Sequence, residues 1–476
     1  MPKTLTVGRP WHVIAVFAVP LLLGNVVQQL YQVTDAFIVG RTLGVDALAA
    51  VGSTGSLLFL LLGFAWGLTS GFAIPTAQAF GAGDSAAVRR SVAAGTVLTA
   101  VGSLVLTLLA VLATGPALRV LQTPPELVGQ ASTFATVSFA GAVATMFFNY
   151  LSAIIRAIGD SRTPLVFLAV CCGLNVGLVV LLVRAAGLGV GGAALATVVS
   201  QALSVALCVA FIRRRVPALQ PSREDWRLDR AAVAAQLRIG LPMGFQASII
   251  AIGSLVVQLR LNELGADSVA AYTTAARVDG VAVAFLGSIG LAVSTFVAQN
   301  HGAGRPDRIR RGVSQAVAMS VGVAVLLGLV LVSAGSSIVS MFVGPDEQHV
   351  VDLAAQFLTV NGLLYSALGV LFVLRGALQG LGHALVPTIT GVVELVMRVG
   401  AALVLGSAFG YAGVVWSNPL AWFGAMVLLI PAYLHARRSL GAPADVLVIE
   451  GPNDGSVVLD AVIPQPRAAR EGTPAR

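Results

Sequence analysis

Three carboxylates stand inside long apolar stretches of the sequence, where a charged group is unexpected. Of the 21 acidic residues in the 476-residue chain, Asp35, Asp279 and Glu394 are the ones that lie within such stretches. A carboxylate at membrane depth is costly to insert, so it is normally paired with another group or faces a water-filled cavity. These three residues are therefore the first candidates for chemistry.

Asp35 shares one helical stripe with three other polar side chains. Asn25, Gln28 and Gln32 precede it at spacings that place all four on one face of a helix. The stripe could be a polar seam that joins helices by hydrogen bonds. Because no basic residue shares this face and burial disfavours a charged carboxylate, Asp35 is better explained as a protonatable or cation-binding group. Pro20, earlier on the same helix, predicts a kink that would serve as a hinge.

Two polar side chains of later apolar stretches could reach an ion held by Asp35. They are Asn175 and Thr197, among the few polar residues of their stretches. Hydrogen bonding between helices is the alternative role for both.

The other two carboxylates each have a basic residue nearby in the sequence. Glu394 and Arg398 are four residues apart, the spacing at which opposite charges meet on one helix face. This predicts an ion pair, and substrate recognition by Glu394 is the alternative if Arg398 turns to another partner. Asp279 has Arg277 close by, so we expect local neutralisation. The candidates for lining a substrate cavity are Asn25, Gln28, Gln32 and Glu394.

The sequence contains no catalytic or metal-binding motif that we recognise. The five histidines are scattered near the ends of apolar stretches, and the three cysteines lie inside such stretches, without the spacing of a zinc site. A nucleotide-binding P-loop needs a lysine after its glycines, but the only lysine of the chain is Lys3. We therefore expect no enzyme activity, no metal, no cofactor besides a coupling ion, and no ATPase subunit.

The elements that must position these residues are membrane-spanning helices. Hydrophobic residues make up 57% of the chain and charged residues 11%, against roughly 25% charged in soluble domains. A spanning helix needs about 20 mainly apolar residues. Twelve stretches qualify and predict an all-α integral membrane protein: 11–38, 47–72, 91–113, 128–154, 164–184, 189–212, 237–258, 268–298, 313–343, 350–374, 385–406 and 411–435.

The sequence also repeats itself. Residues 43–50 return in related form at 264–271, and residues 77–83 return at 298–304, in both cases 221 positions later. Each half then holds six spans, an even number, so the halves have the same orientation and are related by an axis along the membrane normal. The predicted domains are an N-terminal lobe (1–212), a cytoplasmic linker (213–236), a C-terminal lobe (237–438) and a disordered cytoplasmic tail (439–476).

Basic residues set the orientation of the chain. Most of the 29 lysines and arginines fall in loops on the same side as the N-terminus, and such loops stay cytoplasmic. Both termini are therefore predicted to be cytoplasmic. The net charge of +8 is explained by this topology and by anionic lipid, without nucleic acid.

Several of these segments resemble one transporter family. Residues 20–41, 155–164 and 378–382 are similar to motifs of the multidrug and toxic compound extrusion (MATE) transporters. The resemblance runs from about residue 10 to residue 435. It implies twelve helices in two lobes that open alternately to the two sides, and export of bulky organic cations against inward flow of protons or sodium.

The resemblance also implies roles for individual residues. Asp35 falls on the aspartate of the family's first helix, in the cavity of the N-terminal lobe. Asn175 and Thr197 match further polar positions of that cavity, and Asn149 is a looser match. Many relatives have an aspartate where this chain has Val179. A site with one carboxylate favours a proton over sodium, which prefers several oxygen ligands.

We therefore predict a cation-coupled antiporter of the bacterial inner membrane that exports organic, cationic compounds and acts as a monomer. Its partners would be small organic cations and membrane lipid. A flippase for lipids or lipid-linked oligosaccharides is the alternative, although phosphate recognition would call for more basic cavity residues than Arg277 and Arg398. A passive channel, the third option, would lack coupling between ion and substrate.

Overall fold

The computed structural model describes residues 4–120, 124–343 and 347–440, and these are almost entirely helical. The N-terminal half contains α1 (Pro10–Leu43), α2 (Val45–Gly81), α3 (Ser85–Val120), α4 (Pro125–Ala140), α5 (Ala142–Ala157), α6 (Arg162–Val179) and α7 (Gly189–Arg215). The C-terminal half contains α8 (Arg230–Glu263), α9 (Ala266–Gly302), α10 (Pro306–Ser340), α11 (Gln348–Gly380), α12 (Leu385–Phe409), α13 (Tyr411–Val415) and α14 (Ser417–Ser439).

These helices provide the predicted number of membrane spans. Within the described ranges, eleven helical segments are long and apolar enough to cross a membrane, and the pair α4 and α5 makes a twelfth. The predicted fold class, an all-α membrane protein of two six-helix lobes related by a parallel repeat, is confirmed.

The fourth span is broken, whereas the sequence predicts one continuous helix over 128–154. α4 and α5 meet at Gly141 with a bend of 44°. The break exposes backbone groups that a continuous helix would satisfy, and the Thr107 hydroxyl on α3 donates to the carbonyl oxygen of Phe139 at 3.1 Å. Both segments are apolar enough to form one span together, so hydropathy alone does not reveal the break.

The sequence repeat is also a repeat of the backbone. Gly44 joins α1 to α2 with a φ of 90°, and Gly265, 221 positions later, joins α8 to α9 with a φ of 103°. Only glycine adopts this conformation readily, because a Cβ would clash with the neighbouring backbone. The same sharp turn therefore starts the second long helix of each lobe.

A structured linker joins the two halves along α3. It includes two short 3₁₀ turns, Pro217–Leu219 and Glu224–Trp226. The carboxylate oxygen Oδ2 of Asp225 accepts hydrogen bonds from the hydroxyl and backbone N–H of Ser222, each at 2.7 Å, and from Arg89 Nε at 3.2 Å. These bonds, those from Ser222 above all, hold the pKa of Asp225 below its usual value. The predicted tail lies outside the described residues from 441 onward.

Candidate functional site

The first candidate, Asp35, has an unsatisfied carboxylate. It lies partly buried on α1, and its oxygen Oδ1 is shielded from solvent without a hydrogen-bond partner among the described residues. Buried polar atoms in folded proteins are nearly always hydrogen-bonded to protein or water. A proton, a water molecule or a cation would satisfy this oxygen, which is the property expected of an ion-coupling group.

Polar side chains from three helices meet beside Asp35. The Tyr31 hydroxyl on α1 lies 2.9 Å from the Thr197 hydroxyl on α7, and the Asn175 amide on α6 donates to the same Thr197 oxygen at 3.3 Å. Tyr31 stands one helical turn before Asp35 on α1. We call Tyr31, Asp35, Asn175 and Thr197 the N-lobe polar cluster. Asn175 and Thr197, two of the predicted partners of Asp35, thus bond to each other and, through Tyr31, to the helix that carries Asp35.

Tyr31 is the member of this cluster that the sequence pattern did not single out as a candidate. It stands four residues before Asp35, so the two share a helix face. The spacing was available in the sequence, but a tyrosine in a membrane helix gives little signal by itself, because its ring packs as well as any apolar side chain.

The other polar residues predicted for the coupling site or the substrate cavity of this lobe are not part of the N-lobe polar cluster. The Asn25 amide donates to the Ser288 hydroxyl on α9, in the opposite lobe, at 3.0 Å. Gln28 and Gln32 are exposed on α1. Asn149, on α5, forms no hydrogen bond with the N-lobe polar cluster. The polar stripe of α1 therefore divides: Asp35 belongs to the N-lobe cluster, while Asn25 bridges the two lobes.

Glu394 in the second lobe is held by a buried ion pair. Its carboxylate contacts the guanidinium of Arg375, from α11, and both side chains are almost fully buried. The predicted pairing of Glu394 with Arg398 is wrong. The two residues do share a face of α12, but Arg398 packs against Gly253 of α8, and the neighbour that reaches Glu394 comes from another helix.

Asp279 also has a partner from another helix. Its oxygen Oδ1 accepts a hydrogen bond from the Tyr365 hydroxyl on α11 at 2.6 Å. The predicted neutralisation by Arg277 is wrong, because the Arg277 side chain instead lines a separate cavity of about 350 Å³ with Phe342. Both described intramembrane carboxylates of the C-terminal lobe therefore have protein partners.

Hydrogen bonds join the two lobes near the C-terminal ends of α2 and α9. Gln78 of α2 donates through Nε2 to the carbonyl oxygen of Gly380 on α11, at 2.9 Å. Gln299 of α9 donates through Nε2 to the carbonyl oxygen of Ala157 on α5, at 2.7 Å. Gln78 and Gln299 are 221 positions apart, so the repeat makes the same bond twice, in opposite directions. We call this pair of bonds the glutamine clasp.

Glycines bring the helices close enough for the clasp. A methyl group at Gly81 would overlap the backbone of Gln299, and a methyl group at Gly302 would overlap the backbone of Gln78. Small residues permit such close approach between membrane helices. Together with the clasp, this crossing defines the closed face of the protein.

The N-terminal segment, residues 4–9, packs at the interface between the lobes on the closed face. Leu5 is buried, and its backbone N–H donates to Gln299 Oε1 at 2.8 Å. Arg308 donates to the carbonyl oxygen of Gly8 at 2.7 Å, and Arg305 donates to that of Thr6 at 3.2 Å. Gln299 therefore uses both ends of its amide, one to reach across to the other lobe and one to hold this segment.

The family model MatE matches residues 20–181 and 242–424, one stretch in each lobe. The chain belongs to the MatE family. It is a multi-pass membrane transporter, and the family predicted from the sequence motifs is confirmed.

Curated relatives of this MatE protein are similar over almost their whole length. The probable multidrug resistance protein YoeA of Bacillus subtilis (strain 168) is 29% identical over 433 residues, 89% of this chain and 93% of that protein. The multidrug export protein MepA of Staphylococcus aureus (strain MSSA476) is 23% identical over 432 residues, again 89% and 93%.

A solved structure shares the fold of this MatE protein. The crystal structure of MATE in complex with MaL6 has a TM-score of 0.85 and 21% sequence identity, and the match covers 92% of this chain and 98% of that one. This similarity supports the two-lobe architecture and says nothing of the chemistry at Asp35.

Proposed function

We propose that this MatE protein is a secondary active antiporter that exports organic, cationic compounds in exchange for protons, by alternating access. Its relatives are named as multidrug resistance and multidrug export proteins. The observation that carries the coupling mechanism is the shielded, unpartnered oxygen of Asp35 beside the N-lobe polar cluster. We place the protein in the bacterial inner membrane, with the closed face and both termini toward the cytoplasm.

A proton fits this site better than sodium does. Sodium, a hard cation, favours several oxygen ligands with compensating charge. Here Asp35 is the one carboxylate of the cluster, and Tyr31, Asn175 and Thr197 offer neutral groups that already bond to one another. Val179, one turn after Asn175, is fully buried and adds no oxygen.

Coupling requires that the charge of Asp35 control the shape of the cavity. α1 is helical from Pro10 to Leu43, with Pro20 inside it. A proline in a helix removes one backbone hydrogen bond, which leaves a point where the helix bends at low cost. We propose that protonation of Asp35 removes its need for polar contacts and lets α1 bend about Pro20, so that cargo is released and a proton is carried inward.

The glutamine clasp supports alternating access. It closes one face of the interface between lobes with two side-chain hydrogen bonds and close glycine contacts, and a net hydrogen bond contributes only about 1 kcal/mol. A barrier made of a few such bonds is strong enough to seal the face and weak enough to open within a transport cycle.

Reconstitution into liposomes tests the proposal. With ethidium as cargo, an imposed proton gradient should drive transport by the wild-type protein, and a sodium gradient of the same size should not. Val179→Asp, which adds a second carboxylate next to Asn175, should introduce a response to sodium. Ethidium transport that continues undiminished after the gradients collapse would instead indicate a passive channel.

Topology has its own test. A reporter fused after Arg438 should be cytoplasmic in bacterial cells. Periplasmic activity of that fusion would reverse the proposed orientation and with it the direction of transport.

A further inference from the structure

Three arginines line an open cavity at one corner of the closed face. Arg310, in the first turns of α10, and Arg437 and Arg438, at the end of α14, line a space of about 350 Å³ together with Leu434. Three guanidinium groups around one space repel each other unless an anion lies between them. The lining therefore selects for a negatively charged ligand.

The backbone holds one of these arginines in place. Arg310 Nε donates to the carbonyl oxygen of Arg437 at 3.3 Å, and its Nη2 donates to that of Leu440. These are carbonyls at the end of α14 that have no partner within the helix. Arg310 thus links the two helices and is pre-positioned before any ligand arrives.

The described carboxylates do little to neutralise this group. Arg310 has one acidic neighbour, the exposed Asp307 at 3.7 Å, and neither Arg437 nor Arg438 forms a salt bridge within the described residues. The Tyr433 hydroxyl, one turn before Arg437 on α14, is buried without a hydrogen-bond partner among the described residues. Among the described residues around this cavity, hydrogen-bond donors therefore outnumber acceptors.

The sequence repeat places the same basic residues in the other lobe. Arg89, at the start of α3, is the counterpart of Arg310, 221 positions earlier, and two arginines, Arg214 and Arg215, also stand at the end of α7. In that lobe the linker supplies an anion, because the Asp225 carboxylate, fixed by Ser222, accepts a hydrogen bond from Arg89 at 3.2 Å. In the N-terminal lobe, the counterpart of Arg310 therefore has an oxyanion partner supplied by the protein.

An apolar stripe on α14 leads to the arginine cavity. Val427, Ile430 and Leu434 are spaced three and four residues apart, so they share one helix face, and their exposed fractions are 70%, 38% and 44%. In a membrane protein such a face contacts lipid tails. A ligand with an anionic head and long apolar chains would fit the arginines and the stripe together.

We infer that this cavity binds the phosphate headgroup of an anionic phospholipid, with the acyl chains lying along the stripe of α14. Arginine forms bidentate hydrogen bonds with phosphate oxygens, and basic pockets between membrane helices are suited to such headgroups. The inference does not depend on what the protein transports. It uses the proposed orientation only to place the lipid in the cytoplasmic leaflet.

Lipid counting by native mass spectrometry tests the site. The full-length protein in detergent is titrated with phosphatidylglycerol or phosphatidylcholine of the same chain length. Wild-type protein should retain one phosphatidylglycerol in preference to phosphatidylcholine. Arg437→Gln with Arg438→Gln should lower that affinity more than about tenfold, because each arginine near the headgroup contributes roughly fivefold.

Matched variants show whether charge and position both matter. Arg214→Gln with Arg215→Gln makes the same change in the other lobe and should alter phosphatidylglycerol binding less than about twofold. Arg437→Lys with Arg438→Lys keeps the charge and should retain most of the binding. The melting temperature of each variant confirms that it is folded.

Four results would overturn the inference. They are equal retention of the two lipids by the wild-type protein, an equal loss in the N-lobe control, unchanged binding in the Arg437→Gln/Arg438→Gln protein, and complete displacement of phosphatidylglycerol by millimolar inorganic phosphate. The last result would identify the ligand as free phosphate rather than lipid.

Discussion

The two lobes share a backbone plan and differ in what they do with a buried carboxylate. In the N-terminal lobe, Asp35 keeps one oxygen without a hydrogen-bond partner among the described residues. In the C-terminal lobe, Glu394 is paired with Arg375, and Asp279 is bonded to Tyr365. A satisfied carboxylate holds helices together, whereas an unsatisfied one is available for an ion.

The sequence repeat preserves the turns and the clasp of the two lobes, but not the carboxylate at Asp35. The turn at Gly44 and the clasp residue Gln78 both return 221 positions later with the same conformation or bond. Asp35 does not return: the corresponding part of α8 reads Val256-Val257. The repeat therefore preserves the architecture and the closed face, while the carboxylate that we propose for ion coupling occurs in one lobe.

We expect the largest difference between the lobes when an aspartate of each is replaced by asparagine. Asp35→Asn removes the charge that we assign to coupling, so export of ethidium against its gradient should be lost. Ethidium affinity should stay within a few-fold, because the substitution keeps the size and shape of the side chain. Asp279→Asn still accepts the bond from Tyr365 and should keep coupled transport within a few-fold of wild type. Equal losses in the two variants would remove the distinction between the lobes.

Breaking the ion pair of the C-terminal lobe should affect stability rather than coupling. Arg375→Leu leaves Glu394 charged and buried without a partner, which should destabilise the protein by about 3–5 kcal/mol. Arg375→Leu combined with Glu394→Leu should restore most of this loss, because no buried charge remains. Thermal unfolding in detergent measures both. A combined variant as unstable as the single one would show that the pair does more than neutralise charge.

The two glutamines of the clasp also differ between the lobes, because Gln299 binds the N-terminal segment as well as the opposite lobe. Gln299→Ala removes the bond to Ala157 and also the acceptor for the Leu5 N–H. It should raise amide hydrogen exchange in residues 4–9 by about fivefold, the equivalent of one net hydrogen bond of about 1 kcal/mol. Gln78→Ala removes only the bond to Gly380 and should raise that exchange about threefold or less. The reverse order would mean that the N-terminal segment is held by other contacts.

The smallest effects concern the neutral members of the N-lobe polar cluster. Tyr31→Phe removes the hydroxyl that bonds to Thr197 and should slow ethidium export only a few-fold, because a neutral group tunes Asp35 without carrying its charge. Asn175→Ala should also slow ethidium export only a few-fold.

In the other lobe, Tyr365→Phe should lower stability by about 1–2 kcal/mol with little change in coupling, because it leaves Asp279 without its hydrogen-bond donor. Initial transport rates and melting curves distinguish these outcomes.

Much of the architecture was predictable because hydropathy and the repeat are properties of single residues and fixed spacings. The sequence also indicated that Asp35 lacks a charged partner, since no basic residue shares its helix face; its role in coupling stays a prediction. The partners of Glu394 and Asp279 were not. A spacing of four residues shows that Glu394 and Arg398 share a helix face, but not that Arg375 on α11 lies opposite to that face. The clasp likewise depends on how the lobes dock, which no spacing within one helix reveals.

The most direct test of the central claim is a count of protons released when cargo binds. Wild-type protein, purified in weakly buffered detergent solution near the pH at which Asp35 titrates, should release up to about one proton per molecule as ethidium saturates it. The Asp35→Asn protein should bind ethidium and release none, while Asp279→Asn should behave like wild type. Equal proton release by the wild-type and Asp35→Asn proteins would contradict the assignment of ion coupling to the N-terminal lobe.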